Sequence, residues 1–233
     1  MPMPIDGVQL IDKQEVTTLL LKSGADITEV NTVRKHLSAI KGRRLAENLY
    51  PATILTLIIS DVVGDRLDSI ASGPTVPDLT TYADAKALLE KYEIWNTLSD
   101  RTRFAFQKGL AGELSETPKA NFKIFQNVHN VIVGSIFQSC LSAASTLKQA
   151  GYATMILSTR IQGESKHVGR LIGGILVNIT ENRLPLQPAV TTVAGGETTV
   201  TVSGRGTGGR NQEVAWPPSA QMAQTALPMQ QAQ

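Results

Sequence analysis

Four polar residues recur at helical spacing in one segment of the chain. Asn31, Arg34, Ser38 and Lys41 are three, four and three positions apart, so they would share one face of an α-helix. Lys35 lies beside this face. Two or three cations on a rigid face suit a carboxylate or phosphate, and arginine can bind either group through two hydrogen bonds. The spacing indicates an anion-binding surface, with a solvated helix face as the alternative.

Two acidic residues, Asp61 and Asp65, follow a short apolar segment, 54–59, that predicts a buried strand. Ligands of open α/β sheets bind beyond the carboxyl ends of the strands. Two carboxylates there can hold Mg²⁺, or one of them can act as a base toward a substrate hydroxyl. The alternative is that Asp61 caps a turn and Asp65 is simply exposed. A turn at 72–75 then offers two hydroxyls, although such tetrapeptides are common in ordinary loops.

A glycine-rich loop, 204–210, precedes a segment that would open a helix at 211–213. Glycines let the backbone approach a ligand closely, and a helix N-terminus offers free N–H groups to phosphate. Arg210 would add a positive charge. The loop lacks the Gly-Lys-Ser/Thr ending of a Walker A sequence and is no clean dinucleotide fingerprint. A plain connection between a strand and a helix is the alternative interpretation.

The elements that must position these residues alternate along the chain. Asp26, with Glu29 three residues on, predicts the capped start of a helix that buries one stripe. A linker is predicted at 183–188, and the stretch 95–123 is weakly patterned, with helix and loop mixed. The order of strands and helices predicts a parallel α/β sheet. Helices are expected at 12–23, 26–40, 80–92, 137–150 and 164–181, and strands at 54–59, 130–133, 154–158, 191–194 and 198–202. The stripe consists of Ile27, Val30, Val33, Leu37 and Ile40.

Composition excludes several classes of protein. The chain has 233 residues, 42% hydrophobic and 18% charged, which is typical of a globular protein. A net charge of +2 and 5% aromatic residues give no basis for nucleic-acid binding. The single cysteine, Cys140, is expected to be a small buried residue, and the scattered histidines are expected to be structural. Without a targeting segment or a long apolar run, a cytoplasmic protein with no membrane partner is expected.

Five long phrases carry a resemblance to a known family. They occur in order at 23–42, 57–65, 70–78, 128–135 and 195–213, as SGADITEVNTVRKHLSAIKG, LIISDVVGD, IASGPTVPD, VHNVIVGS and GGETTVTVSGRGTGGRNQE. Together they resemble the glycerate 2-kinase family, whose two parts are the MOFRL-associated and MOFRL domains. The resemblance covers about residues 5–214.

The resemblance implies a two-domain, parallel-sheet α/β architecture, incomplete here, with the site in the cleft between the domains. It implies a MOFRL-associated domain at 1–183 without its upstream part, and the start of a MOFRL domain at 189–214. It implies transfer of the ATP γ-phosphoryl group to the 2-hydroxyl of D-glycerate, with Mg²⁺. Two alternatives stay open: a hydroxypyruvate reductase-type oxidoreductase, against which the absence of a G-x-G-x-x-G turn counts, and an inactive pseudogene product.

Given the resemblance, the functional interpretation of the polar groups above is favoured over the structural one. Lys41, Asp61 and Asp65 are expected to be catalytic, and the two aspartates to hold the metal. The remaining expected residues contact substrate or phosphate, and they are Asn31, Arg34, Lys35, Ser38, Ser72, Gly73, Thr75, Gly195, Gly196, Glu197, Gly208, Gly209, Arg210, Asn211 and Glu213.

The chain departs from the family pattern at several points. Arg43 stands where the family usually has a second glycine, and Ile136 stands where it usually has asparagine. The last residues, 220–233, correspond to a family phrase, GTDGTDGPTDAAGA, read one base out of frame. We therefore expect 215–233 to be a frameshifted tail. Apolar surface left uncovered in an incomplete fold would favour a homodimer.

Overall fold

The structure, a computed structural model, describes residues 3–120, 123–187, 190–202 and 206–216. The chain forms two compact units. Unit 1 contains residues 1–59 and 66–133, and unit 2 contains residues 60–65 and 134–233. These limits concern compactness, so the family-domain limits expected from the sequence stay a prediction. Of the expected tail at 215–233, all but Ala215 and Trp216 lies outside the described residues.

Unit 1 is mainly helical around one apolar core. The buried core side chains come from α1, α2, α4 and α5 and include Leu20, Val33, Leu89 and Phe106. Two strands of the chain, β1 and β2, pair in a two-stranded sheet. The elements are α1 Leu10–Lys22, α2 Ile27–His36, α3 Arg44–Leu49, β1 Ile54–Ser60, α4 Tyr82–Lys91, α5 Asp100–Leu110 and β2 Val128–Ser135.

The predicted capping box at the start of α2 is confirmed. The Asp26 carboxylate accepts from the Thr28 and Glu29 backbone N–H groups at 2.7 and 2.9 Å. Glu29 in turn accepts from the Asp26 backbone at 3.0 Å. The predicted end of the helix is wrong, because α2 stops at His36. The residues predicted to continue its two faces beyond that point belong to a turn.

Two predicted burial patterns are also wrong in part. Ile27, the first residue of the predicted apolar stripe, is 60% exposed, because it sits at the helix start away from the core. The strand expected to be buried on both faces alternates instead. Leu57 is 64% and Ile59 81% exposed, so β1 buries only one face within the described residues.

Unit 2 has the predicted alternation of strands and helices, and the α/β fold class is confirmed. β3 pairs with β4 in parallel, from Ala153 opposite Val190 to Glu164 opposite Thr199. The two strands predicted at 191–194 and 198–202 are replaced by one strand that runs through 195–197, past a register shift beside Gly195, and ends at Thr199. The elements are α6 Ile136–Gln149, β3 Ala153–Glu164, α7 Ser165–Asn182, β4 Val190–Thr199 and a short helix at 210–216.

Helix α3 was not predicted from the sequence, and α5 lies in a stretch where helix and loop were expected to mix without bounds. α5 occupies 11 residues of the weakly patterned stretch 95–123, and Ser99 caps it by accepting from the Thr102 backbone N–H at 3.3 Å. The sequence signal for the start of α5 was Ser99, an N-cap residue, followed by Asp100 in the first turn. No helix among the described residues has the length and apolar character needed to cross a membrane.

A buried ion pair joins α2 to the segment before α4. Lys35 Nζ lies 3.2 Å from Asp78 Oδ1, and both side chains are almost fully buried. Asp78 Oδ1 also accepts from the Thr80 backbone and hydroxyl at 3.1 and 2.8 Å. Burial raises the pKa of Asp78, but the Lys35 charge and the Thr80 hydrogen bonds outweigh it, so the pKa lies below 3.8. Asp78 therefore stays ionised at neutral pH.

We predict that Asp78→Asn lowers the free energy of unfolding at pH 7 by about 3 kcal/mol, because it leaves the Lys35 charge buried without a counter-ion. Because the folded pKa of Asp78 is depressed, its contribution is present above pH 3.8 and is lost as the pH falls below that value. The difference between variant and wild type should narrow in acid. Denaturant unfolding followed by circular dichroism measures both effects.

The control is Glu90→Gln, which breaks the surface pair that Glu90 forms with Lys86 at 2.9 Å. This change should cost less than about 0.5 kcal/mol. Equal effects of the two substitutions would contradict the assignment of the Lys35–Asp78 pair as the stabilising one.

Candidate functional site

A short left-handed turn lies at the centre of the candidate site in unit 1. Ala71, Ser72 and Gly73 have φ angles of 51°, 61° and 60°. Residues other than glycine disfavour this region by roughly 1–2 kcal/mol each. Two such residues in succession, followed by a left-handed glycine, persist only where the surroundings hold them in place.

Contacts from α2 and the turn after it hold this segment. Lys41 Nζ donates to the Ala71 carbonyl at 2.7 Å. The Gly42 backbone N–H donates to the Ser72 carbonyl at 3.0 Å. The Ser72 hydroxyl donates to Asn31 Oδ1 at 2.9 Å. Four predicted site residues, Asn31, Lys41, Ser72 and Gly73, are thus brought together.

Cationic side chains line a cavity of about 400 Å³ beside this turn, which is within the range of small-molecule sites. Arg34 and Lys41 were predicted, and Lys13 from α1 joins them. Arg34 Nη1 donates to Asn31 Oδ1 at 3.4 Å, which fixes the guanidinium over the cavity. Among the described residues, none of the three cations forms an ion pair. The remaining lining residues are Leu10, Gln14, Thr17 and Thr18.

Burial and neighbouring positive charge lower the pKa of both lysines. Burial, together with the charges of Lys41 and Arg34, lowers the pKa of Lys13 to about 8. Burial and the Arg34 charge also lower the pKa of Lys41. An anion in the cavity would relieve both the burial and the repulsion, so the cavity, here named the cationic pocket, is suited to a carboxylate or phosphate.

Three other predicted residues of unit 1 have partners inside the protein. Lys35 is paired with Asp78, as described above. The Ser38 hydroxyl donates to the Met3 carbonyl at 3.1 Å and accepts from the Lys41 backbone at 3.3 Å. Thr75 donates to Asn130 Oδ1 at 2.6 Å. Neither the ion pair nor these bonds place them in the cationic pocket.

Asp61 and Asp65 flank a tight turn in unit 2. The Asp65 N–H donates to the Val62 carbonyl at 2.9 Å, and Asp65 has a φ of 54°. Asp65 lines a small cavity together with Thr159 and Arg160. In the described part of the chain, no group of three or more His, Cys, Asp and Glu side chains could hold a metal ion. Two carboxylates are still enough for Mg²⁺ that keeps water and phosphate ligands.

The predicted glycine-rich segment meets β4 in unit 2. Glu197 forms an ion pair with Arg210, and Arg210 Nη1 also donates to the Thr198 carbonyl at 3.5 Å. Gly195, Gly196 and Asn211 line one open cavity, with an otherwise largely apolar wall of Ile161, Val168, Ile172, Ala194, Thr198 and Val214. Three of the predicted phosphate-binding residues, Gly195, Gly196 and Asn211, therefore line one cavity.

The other members of this segment surround the helix start. Gly208 and Gly209 are exposed and precede the first helical residue, Arg210. The Glu213 N–H donates to the Gly209 carbonyl at 3.0 Å, so Glu213 stands in the first turn. The predicted opening of a helix here is confirmed. Gly204 and Arg205 lie outside the described residues.

The residue that sequence reasoning missed is Lys13. It occurs in a helix predicted from its apolar residues, and a single lysine there gives no sign of burial. A weak signal was available, because Lys13 and Thr17 are four residues apart and share a face of α1. That face lines the cationic pocket.

Comparisons with known proteins agree with the architecture. Residues 1–107 match a family model described as a domain of unknown function, DUF4147, and residues 190–230 match the MOFRL family. A glycerate 2-kinase of Pyrococcus horikoshii is 47% identical over 214 residues, 91% of this chain and 48% of that protein. The D-glycerate 2-kinase of Thermotoga maritima is 43% identical over 213 residues, with the same coverage of both chains.

The solved structures give the same picture. A crystal structure of a glycerate kinase from Thermotoga maritima matches with a TM-score of 0.80 and 42% identity, over 94% of this chain and 50% of that chain. A protein of Agrobacterium vitis with hydroxypyruvate reductase in its name is 42% identical. The chain spans about half the length of the curated relatives it matches. Its resemblance to the glycerate 2-kinase family is thus confirmed, through regions of both family domains.

We predict that Gly195→Ala disrupts the packing of β4 on α6. A Cβ atom at residue 195 would lie 2.5 Å from Cys140 Sγ and 2.7 Å from Ile136 Cγ2. Overpacking of this kind costs roughly 1–3 kcal/mol, so the melting temperature should fall. The control is Gly174→Ala in α7, where a new Cβ meets nothing within 4 Å. That change should raise helix stability by about 0.5–1 kcal/mol, and a fall in both variants would refute the steric explanation.

Proposed function

We propose that this protein transfers the γ-phosphoryl group of ATP to the 2-hydroxyl of D-glycerate. The observation that carries the proposal is the 47% and 43% identity to two glycerate 2-kinases over 91% of the chain. Each alignment is long enough to extend through both compact units. It therefore includes Arg34 and Lys41 of the cationic pocket and the glycine-rich segment.

Phosphoryl transfer depends mainly on positioning and on neutralising charge, so cations and backbone N–H groups are the parts it needs. In unit 1 we assign Arg34 and Lys41 to an anionic group of the substrate, with Asn31 and Ser72 holding their geometry. This assignment is supported by their shared cavity and by the absence of a carboxylate partner within the described residues. Lys35 has its charge neutralised by Asp78 and is given no such role.

In unit 2 we assign the segment from Gly208 to Asn211 to a phosphate group. The exposed glycines and the free N–H groups of the following helix start are the features that favour phosphate there. Arg210 would contribute its charge after exchanging its Glu197 partner for the ligand. Glu197 would then act by keeping the guanidinium positioned while the site is empty of phosphate.

Asp61 and Asp65 are the residues that would hold Mg²⁺, or accept the proton of the 2-hydroxyl. The turn that joins them presents two carboxylates, and neither forms an ion pair among the residues described. When bound, Mg²⁺ neutralises charge on the ATP phosphates. The protein side chains fix the position of the ion and of the hydroxyl.

We predict that the purified chain forms ADP from ATP only when D-glycerate and Mg²⁺ are both present. Arg34→Met and Lys41→Met should each lower kcat/KM roughly 10- to 100-fold, because a charge-assisted hydrogen bond contributes about 1.5–3 kcal/mol. A coupled ADP assay and detection of phosphorylated glycerate measure this. The control is Lys22→Met, which changes an exposed lysine at the end of α1.

A folded chain that forms no D-glycerate-dependent ADP would overturn the proposal for this protein. A cooperative melt by circular dichroism establishes whether the chain is folded in that assay. Activity that is equal in wild type, Arg34→Met and Lys41→Met would retain the reaction and overturn the roles assigned to these two residues.

A further inference from the structure

The amino group of Lys13 has an unusual environment. The side chain is 6% exposed, and Nζ is buried with no hydrogen-bond partner in the structure. The charges that act on it are those of Lys41 and Arg34, both positive. A buried ammonium without a partner and beside two cations is costly to the folded chain.

The neighbouring elements do not relieve this cost. From α5, Arg101 pairs with Asp12 at 3.3 Å, so the one carboxylate adjacent to Lys13 in sequence is already occupied. Asp12 also accepts from the Ser99 hydroxyl at 2.8 Å. From the α2 side, Arg34 and Lys41 add positive charge. The side of Lys13 that remains is the cationic pocket that it lines.

We propose that Lys13 is a ligand-binding residue, and that Lys13, Arg34 and Lys41 together bind the dianionic phosphate of a small phosphate monoester. This inference deepens the proposed function, on which it rests for the identity of the ester: a phosphorylated hydroxy acid, the product of the reaction. Three cations balance a phosphate dianion with one charge to spare for a carboxylate of the same molecule. Gln14, Thr17 and Thr18 supply neutral polar groups along the same wall.

The stability of the unliganded chain separates this role from a structural one. A lysine that holds the fold together stabilises it, so its removal lowers the melting temperature. Lys13 is buried, unpaired and repelled, so Lys13→Met should raise the melting temperature of the unliganded chain. Because the folded pKa of about 8 is below the unfolded 10.5, the cost is largest below pH 8 and declines as the pH rises toward 10.5. The gain from Lys13→Met should therefore be larger at pH 7 than at pH 10.

Binding is measured by titration calorimetry on the purified 233-residue chain with three probes: sulfate, inorganic phosphate and 2-phosphoglycerate. Sulfate remains a dianion throughout the pH range used, so its pH dependence reports the protein. Wild type should bind sulfate more weakly as the pH rises from 7 to 9, and Lys13→Met should bind it roughly 10-fold more weakly at pH 7. Lys22→Met is the matched control on the same helix and should bind as wild type does.

Tighter binding of 2-phosphoglycerate than of inorganic phosphate supports the ester as the ligand, and equal binding overturns that part of the proposal. Lys13→Arg serves if the methionine variant does not fold. Arginine keeps its charge at pH 9, so this variant should retain sulfate affinity where wild type loses it. If wild type and Lys13→Arg lose sulfate affinity equally between pH 7 and pH 9, the role of Lys13 is overturned. Unchanged sulfate binding by Lys13→Met overturns it as well.

The kinase assay distinguishes this inference from the proposed function. Dianion binding that depends on Lys13, without phosphorylation of D-glycerate, retains the site and rejects the reaction. If D-glycerate is phosphorylated but dianion binding is unchanged in Lys13→Met, the reaction is retained and the site is rejected.

Discussion

The candidate site of unit 1 depends on one backbone crossing. The chain after α2 runs beside the left-handed turn at 71–73, and the Gly42 and Arg43 N–H groups donate to the Ser72 and Gly73 carbonyls at 3.0 and 2.7 Å. The left-handed residues orient these carbonyls toward the crossing segment, at a conformational cost that the hydrogen bonds offset. Without these hydrogen bonds, the cost of the left-handed conformation would not be offset. The cationic pocket would then lose Lys41, whose amino group is held by the Ala71 carbonyl at 2.7 Å.

Buried positive charge is the second constraint, and the three buried lysines in the described part of unit 1 differ in how their charge is compensated. Lys35 is neutralised by a carboxylate, and Lys41 donates to a backbone carbonyl. Lys13 has neither. A protein that buries a cation without a partner loses stability unless a ligand supplies the missing anion, and such sites are commonly functional. The difference between Lys35 and its neighbours therefore separates a residue that holds the fold from residues available to a substrate.

The sequence predicted what depends on local chemistry and missed what depends on distant partners. The capping box at Asp26 involves four consecutive residues, so the spacing alone revealed it. The parallel pairing of β3 and β4 followed from the alternation of strands and helices. The end of α2 was mistaken because helical periodicity continues formally through Ser38 and Lys41. Lys41 reaches the site from the segment after the helix, which no helical periodicity describes. Likewise, the ion pair of Lys35 joins residues 43 positions apart, and nothing near Lys35 in the sequence announces it.

The departure at Arg43 shows how such distant contacts let a protein replace a glycine. Arg43 has a φ of 76°, the region that glycine enters freely, which is a physical reason for glycine to be usual at this position in the family. Here the cost of the side chain is met by the segment after α5: the guanidinium donates to the Lys119 carbonyl and lies over the ring of Phe125. The side chain is fully buried, and the Arg43 N–H still donates to Gly73. The crossing thus keeps its backbone geometry with an arginine at this position, because packing and a hydrogen bond hold the side chain.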